Sequence, residues 1–474
     1  MPGGFAAGIA FPRSAADAAA LIGSAQRVLP IGAQSSLTGG ATPRGEVIIG
    51  TRGLRNMTRA LDGCVGVGAG MPLADLQQAL GADRLYYPPV PTYDGAFVGG
   101  TIATNAAGPA TFKYGSARQW VDALTVVLAN GTILEFGRGD ITASPDGWIE
   151  LPQGVSGDPI PVPAYVMPDV AKLSAGYFAH PGMDLIDLFI GSEGTLGFIV
   201  DATLRVVPLP RRMVALMTFE SDAQAIGLTA ALRQRADGAA PSLDVSAVEF
   251  MDSRALALVA DDVFERANIA PPSGASGFLL AQVEVRDNGE QELDQLAEVL
   301  ASCGVDADPH VALPDDARGA ARLFAVREAV PASLNARIAA TKARLKQDVE
   351  KTAGDVIVPF GRLAESLALY RTTFERYGLD YAIWGHISDG NMHPNVVPQS
   401  MEDVQRGRAA LLEIARGVIA LGGAPLAEHG VGRSALKQQM LRDLYGDAGI
   451  EQMRAVKRAL DPEWKFAPGV LFPP

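Results

Sequence analysis

Pro30-Ile-Gly-Ala-Gln-Ser-Ser-Leu-Thr-Gly-Gly40 follows directly on a short apolar run and carries no charged side chain. Small residues let successive backbone N–H groups converge, and the hydroxyls of Ser35, Ser36 and Thr38 add donors. Such a nest can hold a pyrophosphate without any cationic side chain. Two further stretches share the design. Val98-Gly-Gly-Thr-Ile-Ala-Thr-Asn-Ala-Ala-Gly108 is closely followed by Lys113-Tyr-Gly115, and Gly191-Ser-Glu-Gly-Thr-Leu-Gly197 has a glycine at every third position. None is a G-x-G-x-x-G fingerprint, and the absence of G-x-x-x-x-G-K-[ST] excludes a P-loop. Each alone is an ordinary turn of a tightly wound β domain. Three in series point to a dinucleotide.

Around them the chain reads as short strands, Val28–Ile31, Val47–Ile49 and Val65–Val67, separated by glycine-rich turns. Pro72 opens a helix whose Leu73, Leu76 and Leu80 share one face. Ala123–Ala129 and Thr132–Phe136 flank Asn130-Gly131, which predicts a two-residue type I′ hairpin. Phe198–Val207 reads as a strand stopped by Pro208 and Pro210. From about Arg211 the texture changes: Met213–Phe219 precedes a helix at Asp222–Ala236, and Gly277–Val285 precedes another at Gln291–Ser302. That rhythm predicts a separate α+β domain with a helix-covered sheet. Beyond Asn395 two long amphipathic helices are expected near 402–421 and 434–459. The Gly-, Pro- and Asp-rich stretch Gly137–Pro163 reads as an exposed excursion.

A chain of 474 residues exceeds one hydrophobic core, so several domains are expected. Its net charge of −13 and lack of a basic cluster argue against nucleic-acid binding. Cys64 and Cys303 are the only cysteines, which fits a reducing compartment and no thiolate metal site. No apolar run approaches a bilayer span, and the first residues lack the pattern of a secretory signal. A cytoplasmic protein is expected, with attachment to the inner face of the membrane left open.

Of five histidines, two fall in Trp384-Gly-His-Ile-Ser-Asp-Gly-Asn-Met-His-Pro394. Counting outward from a two-residue Asp389-Gly390 turn pairs His386 with His393, on one side of a hairpin. Opposed imidazoles suit a shared divalent ion. A third motif, Ala427-Glu-His-Gly-Val-Gly432, supplies a carboxylate, Glu428, and a base, His429. Two histidines and one carboxylate leave positions open, the pattern of a catalytic metal site. A lone histidine is more often structural, as is expected of His180 in a surface loop.

These motifs together resemble the FAD-linked oxidases of the vanillyl-alcohol oxidase (PCMH-type FAD-binding) superfamily. The similarity is to the branch of D-lactate dehydrogenase, D-2-hydroxyglutarate dehydrogenase and the glycolate oxidase subunit, and runs from about Ala10 to the C-terminus. It implies an α+β fold: a PCMH-type FAD-binding domain of two α+β subdomains over 1–210, an α+β substrate cap over 211–400, and a helical segment over 401–474 that closes the active site. It also implies that Ile31, Gly32, Ala33, Gln34, Ser35 and Ser36 wrap the pyrophosphate. Val98, Gly99, Gly100, Thr104, Asn105 and Gly108 would line the flavin and ribityl chain, with Glu193, Gly194 and Ile199 near the adenine end or ring edge. The first loop has no histidine, so FAD is expected to be noncovalent.

The same resemblance implies a divalent metal (Zn, Mn or Fe) on His386, His393 and Glu428, His429 as base, and Arg327 as holder of the substrate carboxylate. Residue by residue, Arg327 otherwise reads as an exposed helix charge. Ser388, Ala467 and Val470 replace the family's usual glycine, asparagine and lysine. The implied reaction is oxidation of a small D-2-hydroxy acid, D-lactate-like, with electrons passed to a quinone, a cytochrome or an electron-transfer flavoprotein. Relatives acting on dicarboxylates carry a lysine where Ala353 stands, two residues before Asp355, which disfavours D-2-hydroxyglutarate. Glycolate is a further alternative, as is a transferase like alkyl-glycerone-phosphate synthase, which would need basic groups for a phosphate. A homodimer is left open.

Overall fold

The computed structural model describes residues 3–152, 158–238, 241–271 and 277–473. In the first part, Gly8–Ala10, Val47–Gly50 and Val28–Ile31 form a small parallel sheet with Val47–Gly50 in the centre. Beside it stands an antiparallel sheet in the order Cys64–Gly68, Phe198–Arg205, Val121–Val127, Ile133–Gly137. Phe198–Arg205 pairs with strands far earlier in the chain, so the third glycine stretch, just ahead of it, is carried back beside the first two. Pro72 caps a helix at Leu73–Ala82 that buries Leu73, Leu76 and Leu80.

The hairpin turn differs from the expectation. Only Gly131 has a positive φ, of 85°, whereas a type I′ turn needs one at both central residues. Gly131 N–H bonds the Leu128 carbonyl and Leu128 N–H bonds Thr132. The loop is therefore three residues long, with glycine in the left-handed position. The stretch Gly137–Pro163 is not wholly exposed either. Residues 153–157 lie outside the described residues, but Trp148–Ile149 pairs with Ile160–Pro161, and Ile149 and Ile160 are fully buried.

The second part is a seven-stranded antiparallel sheet in the order His310–Ala312, Arg211–Phe219, Gly277–Val285, Asp244–Asp252, Tyr381–His386, Asn391–Val396, Val356–Ile357. Side chains alternate between its faces. Phe219, Phe250, Leu279 and Ile383 pack with the helices Asp222–Ala236 and Leu363–Arg376. Leu216, Met251, Leu280 and Trp384 pack with the long helix Ala317–Leu345, which contains Pro331.

Helix Met401–Ala420 packs on Leu363–Arg376. The next, Ala435–Leu460, is broken at Gly446 (φ 69°, ψ 175°) rather than continuous. The tail then returns to the first sheet, where Val28 N–H bonds the Lys465 carbonyl and Ala467 N–H bonds that of Val28. Among the described residues no helix is long and apolar enough to cross a membrane.

Candidate active site

The three glycine stretches meet around one cavity of about 300 Å³. The first contributes Ile31, Gly32, Ala33, Gln34, Ser35 and Ser36 to its wall, the second Gly99, Gly100 and Thr104, and the third Glu193 and Gly194, with Ile199 from the strand that follows. Among the described residues no lysine or arginine lines it, so an anion there meets backbone N–H groups and hydroxyls.

Val98, Asn105 and Gly108 stand behind this wall. Helix Val98–Ala103 puts Gly99 and Gly100 on the cavity side and turns Val98 into the core, where it is fully buried. The Asn105 side chain accepts from the Arg118 N–H at 3.0 Å and donates to the Leu173 carbonyl at 3.2 Å, joining two loops. A Cβ on Gly108 would lie 2.1 Å from the Val90 carbonyl oxygen, so that glycine permits a close backbone approach.

Glu428 and His429 close the cavity. Beside them the histidine hairpin has a longer turn than expected. His386 pairs with Asn391, and His393 pairs with Trp384, because Ile387–Asp389 forms a 3₁₀ turn ended by left-handed Gly390. The register differs by two residues, an even step, so both histidines keep the same face. They are diagonal neighbours, with ring centroids 5.4 Å apart, and the His429 ring stacks on His393 at 5.2 Å.

Nε2 of His386, His393 and His429 lie 3.5, 3.4 and 3.5 Å from one atom, Glu428 Oε1. Three imidazole nitrogens facing one carboxylate oxygen, too far from it for good hydrogen bonds, are donor types that fit a divalent cation.

Asp355 stands behind the rings. Its Oδ2 accepts the N–H groups of Glu428 (3.0 Å) and His429 (2.7 Å), and its oxygens face Nδ1 of His429 and His393 at 3.4 and 3.8 Å. One oxygen each from Asp355 and Glu428 and one nitrogen each from His393 and His429 lie within 4.8 Å of one another. Nδ1 and Nε2 point to opposite sides of an imidazole, however, so Asp355 and Glu428 address opposite ring edges.

Glu249 was not visible as a site residue in the sequence. Its Oε1 contacts His386 Nδ1, and its Oε2 accepts from Arg327 Nε at 2.6 Å. Arg327 is therefore a buried, paired group and not an exposed helix charge. With Glu249 it lines a second cavity, of about 170 Å³, whose Pro91 and Thr92 also line the first. Lys172, equally unforeseen, is fully buried between Asp389 (3.1 Å) and Glu428 (2.9 Å). The one available signal was weak: Glu249 interrupts an apolar strand, Val248-Glu-Phe-Met251, where a charge needs a partner.

Burial alone would depress the His386 pKa, yet the Glu249 carboxylate outweighs it and pushes the group up to about 9. Glu249 is brought down to about 2, since Arg327 and His386 overcome its burial. Burial dominates at His429 and lowers it to about 4, against the pull of Asp355 and Glu428. Burial opposes charge on Glu428 as well, but Lys172 and His386 hold its carboxyl well below the usual range.

Residues 209–471 match the family model "FAD linked oxidases, C-terminal domain", and residues 6–137 match "FAD binding domain". The chain is 28% identical over 456 residues to "Glycolate oxidase subunit GlcD" of Bacillus subtilis (strain 168), covering 94% of this chain and 83% of that protein. It is 27% identical to "D-lactate dehydrogenase" of Anaerostipes hadrus, covering 93% and 83%. A solved alkyldihydroxyacetonephosphate synthase shares the fold, with a TM-score of 0.63 at 14% identity over 97% of this chain and 76% of that one. With the glycine stretches and the Glu428–His429 pair on one cavity, and a family model spanning more than half its length, this chain belongs to the FAD linked oxidases, with FAD as its cofactor.

Proposed function

We propose that the protein oxidises a small D-2-hydroxy acid, D-lactate-like, to the 2-oxo acid. One observation carries the reading: three imidazole nitrogens converge on Glu428 Oε1 in the wall of the glycine-lined cavity. His386 and His393, through Nε2, and Glu428, through Oε1, would hold a divalent cation. Glu249 fixes the outer nitrogen of His386, as carboxylates do for metal-ligating histidines, while Asp355 stands 3.8 Å from that of His393. A cation held there supplies Lewis acidity toward the substrate's hydroxyl and carboxylate. FAD, held in the cavity lined by the three glycine stretches, would supply a two-electron acceptor for the hydride that leaves C2 of the substrate.

His429 removes the hydroxyl proton. Its low pKa leaves the ring neutral at ordinary pH, so Nε2 has a free lone pair. Asp355 keeps that nitrogen forward by facing Nδ1. Arg327, held by Glu249, offers its remaining N–H groups to the substrate carboxylate. The noncovalent reading of FAD rests on the absence of histidine among the residues lining the cavity's glycine stretches. The two electrons would leave for a separate acceptor, of quinone, cytochrome or flavoprotein class.

A second reading, a dicarboxylic 2-hydroxy acid such as D-2-hydroxyglutarate, is favoured by one observation: Arg212 shares the second cavity with Arg327. Against it, Ala353 pairs with Asn395 and offers no charge. Anaerobic bleaching of the flavin by a panel of D- and L-2-hydroxy acids separates the cases. D-lactate should reduce fastest and the L-acids should be inert; reduction by L-acids alone, or by none of the panel, overturns the assignment.

A further inference from the structure

Lys172 lies in none of the three glycine stretches and neither histidine motif, yet its ammonium is fully buried between carboxylates from two separate motifs. Asp389 belongs to the turn of the hairpin that carries His386 and His393. Glu428 belongs to the Glu-His-Gly-Val-Gly loop. The lysine arrives from a different segment and divides Glu428 in two: Oε2 bonds Lys172 at 2.9 Å, while Oε1 alone faces the three imidazoles.

We propose that Lys172 is a positioning residue that sets the charge of the cation site, restricting Glu428 to one donor oxygen and cancelling part of its negative charge. A divalent ion so held is bound less tightly and donated less charge than by a free carboxylate. Asp389 works in the opposite sense. It takes a share of the ammonium and so limits how much of Glu428 the lysine can neutralise. This inference rests on the reading of His386, His393 and Glu428 as cation ligands.

The two roles predict shifts of opposite sign. Binding of Mn²⁺ to the FAD-loaded protein, measured by titration calorimetry, should tighten roughly tenfold in Lys172→Met, because a positive charge close to the ion is gone. It should weaken several-fold in Asp389→Asn, which is isosteric and keeps the side-chain oxygen that accepts the Asn391 N–H. Lys172→Arg should bind as the wild type does. The thermal midpoint of chelated Lys172→Met should fall, since two buried carboxylates lose their partner, and Mn²⁺ should raise it by more than it raises wild type. A generic structural defect would weaken binding in both neutralising variants. That result, or unchanged affinity in both, overturns the role of Lys172. If Lys172→Met fails to fold, Asp389→Asn decides, and affinity there equal to or tighter than wild type overturns it. A wild-type protein that binds no Mn²⁺ or Zn²⁺ overturns the cation site itself.

Discussion

The Glu193 carboxylate accepts the Val431 backbone N–H at 2.7 Å, and its second oxygen takes that of Gly432 at 2.8 Å. Glu193 itself sits at a left-handed φ of 51°, an arrangement that persists only when surroundings fix it. A Cβ on Gly430 would lie 2.8 Å from Glu193 Oε1, and one on Gly432 would lie 2.3 Å from Thr38 Oγ1. The loop bearing Glu428 and His429 is thus gripped between the first and third glycine stretches. The glycine-lined cavity and the imidazole cluster form one unit, joined by the Glu193 side chain to the backbone of the loop.

Glu193→Gln should loosen that grip. An amide presents one acceptor and one donor group, so one of the two N–H groups loses its partner, at about 1–3 kcal/mol. The rate of flavin reduction should fall while FAD stays bound. Burial, opposed by the two N–H groups, pushes the Glu193 pKa up to about 7 from an ordinary 4.5. Its contribution to stability is therefore full below pH 4.5 and is lost as pH rises to about 7. Urea melts across this window should show a decline in the wild type that the glutamine variant lacks. Equal slopes in the two proteins would dismiss the raised pKa, and flavin reduction as fast as in the wild type would dismiss the clamp.

His429→Asn removes the proposed base and keeps the loop's backbone contacts to Asp355 and Glu193. FAD content should be unchanged, and single-turnover flavin reduction by D-lactate should drop about 10²–10⁴-fold, the usual worth of general-base help. Stopped-flow traces that match the wild type would remove His429 from the chemistry.

Much of this could be read from residues alone, for identifiable reasons. Asp222–Ala236 and Gly277–Val285 fall where local pattern placed them, the helix because it buries one regular face and the strand because it is an unbroken run of mostly buried, largely apolar residues. The histidine hairpin kept its facing despite a wrong turn, since strand parity survives an even slip. Glu249 and Lys172 behaved otherwise. Glu249 meets His386 across 137 residues and Lys172 meets Glu428 across 256, and no local periodicity records whom a buried charge will find. Pro331 within Ala317–Leu345 and the break at Gly446 defeated local rules too: a proline normally ends a helix, and here tertiary packing carries the helix through it.

Chelation should separate the cation from the flavin. Treating the protein with EDTA should abolish turnover with an artificial electron acceptor and lower the thermal midpoint. FAD should be retained, since most of the cavity wall comes from the three glycine stretches and Glu428 is the one proposed ligand that lines it. Adding back Mn²⁺, Zn²⁺ or Fe²⁺ should restore both, the midpoint rising with ion concentration as for any ligand that binds the native state alone. Full activity after exhaustive chelation would leave His386 and His393 without the proposed role.

Arg327 poses a sharper problem, because its pairing with Glu249 mixes stability with binding. Arg327→Met alone takes the guanidinium from a carboxylate that is 1% exposed, leaving it only His386, and should cost about 3–5 kcal/mol. Loss of activity in that variant would say little. Adding Glu249→Gln removes the stranded charge while its amide oxygen still accepts from His386, so the double variant should recover most of the stability. Glu249 is held near pH 2, so its pairing stabilises the fold above an ordinary 4.5 and that stability is lost as pH falls toward 2; the double variant should lack this acid-side loss. If Arg327 holds the substrate carboxylate, KM for D-lactate should remain raised by on the order of tenfold or more in this refolded background, with FAD content normal. A KM equal to that of Glu249→Gln alone would leave Arg327 as a partner for Glu249 and nothing else.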